Sequence, residues 1–173
     1  MSLSMRKKVI RPTLKRSSRT GRRQKGPHDI VSKETRSRMM RAVKQRDTEP
    51  EIKIRAMLRS LGVFYRTRNR DLPGSPDIAN RKRRWAVFVH GCFWHGHENC
   101  KKTKGGRTAR IPVINRRYWT QKLLENCERD ARKHKNLKEL GFNIITVWEC
   151  ELADISALTR RLSRFFREIR KNQ

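Results

Sequence analysis

Residues 85–97 have the sequence WAVFVHGCFWHGH, and this segment is the most informative about the fold. Its first five residues are apolar without interruption and rich in aromatic and β-branched side chains, which is typical of a strand buried on both faces. The pattern predicts a central strand in a sheet that helices flank. The eight residues that follow contain three histidines and one cysteine, so polar chemistry begins where the strand ends.

The segments on either side of this strand alternate between helical and extended patterns. Capping residues, glycine stops and apolar periodicity predict four helices and four strands. Their order is helix, helix, three strands, helix, strand, helix. It predicts an α/β domain with a mixed central sheet, flanked by helices, whose last strand enters through a crossover. The helices begin at about Ser32, Thr48, Asn115 and Ile155, and the strands cover 63–67, 77–79, 85–89 and 142–148.

The distribution of charge predicts a basic arm followed by one basic domain. Residues 1–28 contain ten Lys or Arg and no Asp or Glu, and their glycines and prolines interrupt any helical pattern, so we expect a flexible, disordered arm. The formal charge of the whole chain is +29, which leaves +19 on the predicted domain, residues 29–173. Such an excess of positive charge favours double-stranded DNA as the partner.

The hydropathy pattern excludes a membrane protein. No apolar run reaches the roughly 18 residues that a membrane-spanning helix needs. Charges begin at Arg6, and no apolar signal-peptide core follows them. We therefore expect a cytoplasmic, nucleoid-associated protein.

The four cysteines indicate a metal site. The pattern Cys92-x4-His97-x2-Cys100 places three zinc-type ligands on one loop, and a closed site needs a fourth. Cys127 lies on the apolar side of the predicted long helix, where a small thiol packs without a metal. Cys150 follows a buried strand, where a side chain can face an adjacent loop, so we expect Cys150 to complete a structural zinc site. The alternative is four free thiols in a reducing cell.

Two histidines remain after this assignment, and they suggest phosphodiester hydrolysis. His90 and His95, together with Asp77 and Glu51, form a set that can bind a hard cation and move protons. If the strand that starts at Asp77 pairs as a hairpin with the central strand, Asp77 and His90 lie at the same edge. Each residue also has a simpler interpretation: Asp77 in a turn, Glu51 in a helix-capping box, and His90 in the core.

Four ordered motifs in the sequence are long and chemically unusual: DLPGSPD at 71–77, FVHGCFWHGH at 88–97, ERD at 128–130 and VWEC at 147–150. Together they resemble the very short patch repair (Vsr) endonuclease family, over about residues 32–150. The resemblance implies a restriction-endonuclease-like fold with a structural zinc ion. It also implies an enzyme that nicks one DNA strand beside a T·G mismatch.

The resemblance assigns catalytic roles to individual residues. Asp77 matches the carboxylate that binds the catalytic Mg²⁺. The backbone carbonyl of Val89 matches a second magnesium ligand, at a position where the family usually has Thr. The other matched residues are His95, the proposed general base; His90 and Glu51, which hold water around the ion; and Asp130, a helper on the long helix.

The resemblance also assigns zinc ligands and a DNA-binding wedge. One residue is inserted before Cys100 relative to the family pattern, which lengthens its spacing from His97. The wedge is a group of apolar side chains that is pushed between bases at the mismatch, and ordinary core packing is the alternative for these residues. The matched zinc ligands are Cys92, His97, Cys100 and Cys150, and the matched wedge residues are Met40, Phe93 and Trp94.

The main hypothesis is therefore a monomeric, magnesium-dependent, strand-specific nicking endonuclease that leaves 5′-phosphate and 3′-hydroxyl ends. It would act at T·G mismatches in a prokaryotic or phage setting, with mismatch-repair proteins as possible partners. Two alternatives stay open. One is a homing-type nicking endonuclease on the same fold that recognises an intact site, and the other is a zinc-stabilised DNA-binding protein without catalysis.

Overall fold

The computed structural model describes residues 32–43, 46–97, 100 and 111–171, and the predicted basic arm at 1–28 lies outside them. The described elements follow the predicted order with one exception, the segment at 63–67. No helix in these ranges is long and apolar enough to cross a membrane. The elements are α1 Lys33–Ala42, α2 Glu49–Ser60, β1 Ile78–Asn80, β2 Trp85–His90, α3 Arg116–Glu139, β3 Asn143–Trp148, a 3₁₀ turn at Glu149–Ala153, and α4 Ile155–Lys171.

The sheet has three strands in the order β1-β2-β3, so β2 is central, as predicted. β1 pairs antiparallel with β2, with Ile78 opposite Val87, and β2 pairs parallel with β3, with His90 opposite Trp148. The predicted crossover is confirmed, because α3 connects the two parallel strands. Since β2 and β3 end together where β1 begins, their loops meet at one end of the sheet, which we call the site edge.

The predicted strand at 63–67 was wrong. Within the described part of the chain, this segment meets β1 at a single bridge, where the Arg66 N–H donates to the Ala79 carbonyl over 2.8 Å and the Ala79 N–H returns a bond of 3.0 Å. Positive φ angles of 65° at Gly62 and 62° at Arg68 turn the chain just outside the segment. Val63 and Tyr65 pack partly buried against the core, whereas the side chain of Phe64 is 84% exposed. The apolar composition of the segment therefore reflects packing of one side on the core and not a full strand in the sheet.

Helices cover both faces of the sheet, as predicted. The side chains of β2 alternate, with Trp85 and Val87 on one face and Ala86 and Phe88 on the other. α3 packs on the second face through Leu137. α2 and α4 pack on the first face, whose buried core is Ile54, Leu58, Ile78, Trp85, Val87, Ile145, Val147, Leu158, Leu162, Phe166 and Ile169.

The helix boundaries follow the predicted caps. The Ser32 hydroxyl accepts a hydrogen bond of 3.2 Å from a backbone N–H in the first turn of α1. Thr48 and Glu51 form the predicted capping box of α2. Gly62 and Gly141, with φ angles of 65° and 77°, end α2 and α3, since glycine adopts this left-handed conformation without steric cost. The cap of α2 fixes the position of Glu51, and the end of α3 at Gly141 fixes where β3 begins. Both therefore determine which side chains lie at the site edge.

The apolar side predicted for α3 is buried only in part. Trp119, Leu123 and Leu137 are buried, but Leu124 is 54% exposed and Cys127 is also exposed. The prediction that Cys127 lies in the core was wrong, because the middle of α3 packs on the loop after β2 and not on the sheet. That contact brings α3 to the candidate site.

Candidate active site and metal cluster

Asp77 lies at the site edge, one residue before β1. Its carboxylate accepts a hydrogen bond of 2.8 Å from the backbone N–H of Val89, the residue before His90 on β2. This bond ties the start of β1 to the end of β2. The structure therefore places Asp77 and His90 at the same edge of the sheet.

Glu51 adds a second carboxylate to the surroundings of Asp77. Burial of the Asp77 side chain, with the negative charge of Glu51, raises the pKa of Asp77 to about 6, although the Val89 N–H and the nearby His95 act in the opposite direction. Glu51 also serves α2, since its carboxylate accepts a 2.7 Å hydrogen bond from the Thr48 hydroxyl. A buried carboxylate close to a second negative charge is stabilised by a bound cation.

His90 and His95 stack at the site edge with ring centroids 3.8 Å apart and an interplanar angle of 11°. The Nδ1 atom of His95 lies 2.5 Å from a carboxylate oxygen of Asp130 on α3. The Lys133 Nζ lies 3.4 Å from the other oxygen of Asp130. His90, His95 and Asp130 thus form one cluster whose potential ligand atoms lie within 4.8 Å of one another. A helix carboxylate therefore fixes the orientation of a histidine on the loop.

The surroundings lower the pKa values of both His90 and Asp130, so both groups are deprotonated at physiological pH. Burial, with the neighbouring His95, lowers the pKa of His90 to about 3, so its imidazole is neutral at physiological pH. Burial acts to raise the pKa of Asp130, but the hydrogen bond from His95 and the positive charges around it outweigh burial and hold that pKa below its usual value. The cluster therefore combines a neutral ring, His90, with an ionised carboxylate, Asp130, that contacts the ring of His95.

α3 also holds the backbone of the loop that carries His95. The Asn126 side-chain amide donates a 2.8 Å hydrogen bond to the Trp94 carbonyl, and the Cys127 thiol donates to the next carbonyl over 3.4 Å. Gly96 has a φ of 59°, and a Cβ there would lie 3.0 Å from the Cys127 sulfur. The role of Asn126 was not predicted from the sequence. Its position one helical turn before Asp130 is the signal that could have found it.

A second cluster, of cysteine and histidine, lies beside the first. The ligand atoms of Cys92, His97, Cys100 and Cys150 lie within 4.8 Å of one another, and Cys150 Sγ is 3.4 Å from His97 Nδ1. These three cysteines are buried, whereas Cys127 is exposed. Burial raises the pKa of Cys92 to about 12, so its thiolate form needs a cation nearby. The cluster could therefore bind a metal ion.

Trp148, the last residue of β3, lies between the two clusters. Its ring stacks on His97 with centroids 4.0 Å apart and an interplanar angle of 5°, and it contacts His90 edge-on at 5.4 Å. No role for Trp148 was predicted from the sequence, since a tryptophan at the end of a buried strand is usual in a protein core. Through Trp148, the packing of the Cys-His cluster supports the ring of His90.

An aromatic group continues the surface of the loop. Phe93 and Trp94 contact each other at 5.1 Å between ring centroids, and Trp119 from α3 lies 5.3 Å and 6.0 Å from them. Tyr118, which is 59% exposed, contacts Trp119. Phe93 and Trp94 are partly buried, so part of each ring faces solvent. Met40 is 39% exposed on α1, and its place beside these rings stays a prediction.

The site combines two neighbouring carboxylates, a histidine oriented by a third carboxylate, and a cluster that could bind a metal ion. These groups lie on the sheet of a strongly basic α/β chain, and this combination is typical of a nuclease. The family model of DNA mismatch endonuclease Vsr matches residues 28–102. Three relatives are similar to most of the chain. The type II nicking enzyme V.XorIIP of Xanthomonas oryzae pv. oryzae is 42% identical over 134 residues, which are 78% of this chain and 93% of the relative.

The type II nicking enzyme V.NmeAIP of Neisseria meningitidis is 39% identical over 142 residues, covering 82% of this chain and 96% of the relative. The DNA mismatch endonuclease Vsr of Escherichia coli is 38% identical over 131 residues, covering 76% of this chain and 80% of the relative. The chain belongs to the Vsr endonuclease family, and the protein is a DNA endonuclease.

Proposed function

We propose that this endonuclease nicks one strand of duplex DNA beside a T·G mismatch in a Mg²⁺-dependent reaction. One observation carries the proposal: Asp77 and His95 lie near each other at the site edge, and Asp130 orients the ring of His95. The names of the relatives, a mismatch endonuclease and nicking enzymes, support the choice of reaction. A mixed sheet with helices on both faces supports a restriction-endonuclease-like fold.

Asp77 and the backbone carbonyl of Val89 are the residues that would hold Mg²⁺. Both offer oxygen, which is the ligand that this hard cation prefers, and Asp77 is a partly buried carboxylate with Glu51 nearby. A bound Mg²⁺ neutralises charge that develops on the scissile phosphate. Glu51 and the neutral ring of His90 would position water molecules around this site.

His95 acts as the general base. Its Nδ1 faces Asp130 at 2.5 Å, so Nδ1 carries the proton and Nε2 is the free acceptor. As water attacks phosphorus, the proton of that water passes to Nε2, and the ionised Asp130 stabilises the resulting imidazolium. The bond from phosphorus to the 3′ oxygen breaks, and the 3′ oxygen takes a proton from solvent. The products are a 5′-phosphate and a 3′-hydroxyl.

Zn²⁺ in the Cys-His cluster would be structural. Sulfur and imidazole ligands suit zinc, and four of them close the site to substrate. The ligands Cys92, His97 and Cys100 belong to the loop with His95, and Cys150 follows β3. Zinc would therefore fasten the catalytic loop to the end of the sheet.

Phe93 and Trp94 would form the wedge that enters the base stack at the mismatch, with Met40 from α1. The support for this role is that both rings are partly exposed and rest on Trp119. Unstacking a base step costs a few kcal/mol, and a mismatched step costs less, so a rigid aromatic wedge favours mismatched DNA.

DNA as substrate and the bacterial relatives support a cytoplasmic, nucleoid-associated enzyme. We further propose that residues 1–28 form a basic arm that adds phosphate contacts without sequence information. The enzyme would act as a monomer, with mismatch-repair proteins as possible partners.

The test of the proposed function is strand-resolved cleavage with each strand labelled separately. Duplexes that differ only in one T·G or T·A pair are incubated with the protein and Mg²⁺. We expect one nick, in the strand that contains the mismatched T, and slower cutting of the matched duplex. Equal cutting of both duplexes would reject mismatch specificity and favour recognition of an intact site. Unchanged nicking without a divalent ion would reject Mg²⁺ dependence.

Replacement of Asp130 by Asn should slow nicking by about 10²- to 10⁴-fold, because the neutral amide cannot hold the His95 tautomer or stabilise its protonated form. As a positioning residue, Asp130 should affect the rate at saturating DNA and leave the Kd for the duplex unchanged. Glu128→Gln, a similar change on an exposed residue of the same helix, is the control. A fall in affinity with an unchanged rate at saturation would contradict this role.

A further inference from the structure

The outer side of α4 carries a row of cationic residues that the proposed catalytic mechanism does not use. Arg160, Arg164, Arg167 and Lys171 follow one another at intervals of four, three and four residues. At 3.6 residues per turn, this spacing places all four on one side of the helix, over a length of about 16 Å. All four are exposed. We call this row the α4 stripe.

Packing of α4 does not account for the stripe. The buried residues of the helix, Leu158, Leu162, Phe166 and Ile169, lie on the opposite side and contact the sheet and α2. No stripe side chain makes an ion pair or hydrogen bond with another described residue. The contrast is Arg161, at the flank of the stripe, which binds Glu151 at 2.8 Å and the Thr146 carbonyl at 2.9 Å.

The stripe also leads away from the site edge. α4 begins shortly after Cys150, which belongs to the Cys-His cluster at that edge. Farther along the helix, the ring of Phe166 contacts Trp85, with centroids 4.9 Å apart. Trp85 is the first residue of β2 and His90 is the last, so these ends of the strand are about 16 Å apart. The stripe therefore runs along the outside of the molecule toward the end of the sheet that is remote from the site.

We propose that the α4 stripe binds the phosphates of a second duplex segment, distinct from the segment at the site edge. Duplex DNA carries one negative charge per roughly 1.7 Å of its axis, so four cations over about 16 Å complement it without reading sequence. Duplex DNA is also stiff over short lengths. A short segment held at the site edge cannot bend around to follow the outward side of α4.

The consequence is an enzyme that contacts two DNA segments at once. A second, sequence-independent contact keeps the protein on DNA while the first segment is exchanged. This inference depends only on the basic surface and on the DNA substrate. It does not depend on the identity of the catalytic ion or on T·G specificity.

The test counts duplexes per chain on the full-length protein without added Mg²⁺. The protein is saturated with an unlabelled T·G duplex of about one helical turn, and a labelled matched duplex of unrelated sequence is then titrated. The stripe variant changes Arg160, Arg164, Arg167 and Lys171 to Gln. The control variant removes the same charge from α3, on the other face of the sheet, by changing Arg129, Arg132, Lys135 and Lys138 to Gln.

We expect the wild type and the control variant to bind two duplexes and the stripe variant to bind one. Since each phosphate contact contributes about 0.9 to the slope of log affinity against log salt, second-duplex binding by the wild type should show a slope of up to about −3.6. Wild type that binds only one duplex, a stripe variant that still binds two, or equal loss in both variants would each overturn the proposal. Nicking assayed on the same preparations with Mg²⁺ tests the proposed function separately.

Discussion

Replacement of Asp77 by Asn should abolish detectable nicking of a T·G duplex while the protein stays folded and binds DNA. Asn has nearly the same shape and can still accept the hydrogen bond from the Val89 N–H, so the junction of β1 and β2 is preserved. The change removes the charge that would hold Mg²⁺. A bound ion supplies several kcal/mol of charge stabilisation, and about 1.4 kcal/mol is a tenfold rate change, so the loss should be about 10²-fold or more.

The matched control is Asp71→Asn, six residues earlier in the same loop. Asp71 is exposed and pairs with Arg81, away from the histidines, so its loss should leave nicking unchanged. Nicking rate, duplex affinity and thermal unfolding are measured on wild type and both variants. Asp77→Asn should bind DNA at least as tightly as wild type, since a negative charge near phosphates is gone. A folded Asp77→Asn protein that nicks at the wild-type rate would remove Asp77 from the mechanism.

The parts of the fold that were predictable from the sequence are those that local patterns determine. The uninterrupted apolar run at 85–89 predicted the central strand, and that prediction is confirmed. The caps at Ser32, Thr48 and Gly62 fixed the first two helices, because capping depends on backbone groups within one turn. The crossover followed from the order of the elements alone.

The errors arose where tertiary packing overrides local pattern. The segment at 63–67 has strand composition, but positive φ angles just outside it leave one bridge to β1. Cys127 occupies an apolar position on α3, yet that part of the helix faces a loop, so its thiol meets a loop carbonyl and not a core. Secondary-structure propensity depends on residues that are neighbours along the chain. The pairing of 63–67 and the exposure of Cys127 depend instead on which other elements pack against them.

The residues of the candidate site and part of their arrangement could be predicted from the sequence. Motif spacing identified Asp77, His95 and the four Cys-His residues, which the structure brings into one region. The roles of Asn126 and Trp148 were missed, because each depends on a contact between elements far apart in the chain, Asn126 with Trp94 and Trp148 with His97. An asparagine or a tryptophan in a single sequence does not indicate which distant residue it contacts.

These contacts connect the Cys-His cluster with the histidines of the candidate site. The described part of the loop from β2 to α3 is held by α3 on one side, through the Asn126 hydrogen bond, and by the buried cysteines of the cluster on the other. His97 lies in the cluster and stacks on Trp148, which in turn contacts His90. If the cluster binds zinc as proposed, removal of the ion should loosen both histidines of the site as well as the loop.

Replacement of Cys150 by Ala should strip zinc from the protein and lower its stability severely. Structural zinc contributes about 10–16 kcal/mol of apparent binding free energy in small zinc domains, which is comparable to the roughly 5–15 kcal/mol of net stability of a whole domain. Cys127→Ala removes an exposed cysteine and should retain about one zinc per chain. Zinc content and thermal unfolding distinguish the two variants.

Cys150→His keeps the prediction testable if the Ala variant does not fold, because imidazole is also a zinc ligand and should restore part of the metal content. Wild-type protein purified without chelator should contain one zinc, and a chelator should lower its Tm. The burial of Cys92, Cys100 and Cys150 is the reason for expecting a large effect, since thiolates inside the protein require a neighbouring cation. Wild type that contains no zinc, or that unfolds at the same Tm with and without chelator, would show that the cluster is held by packing alone.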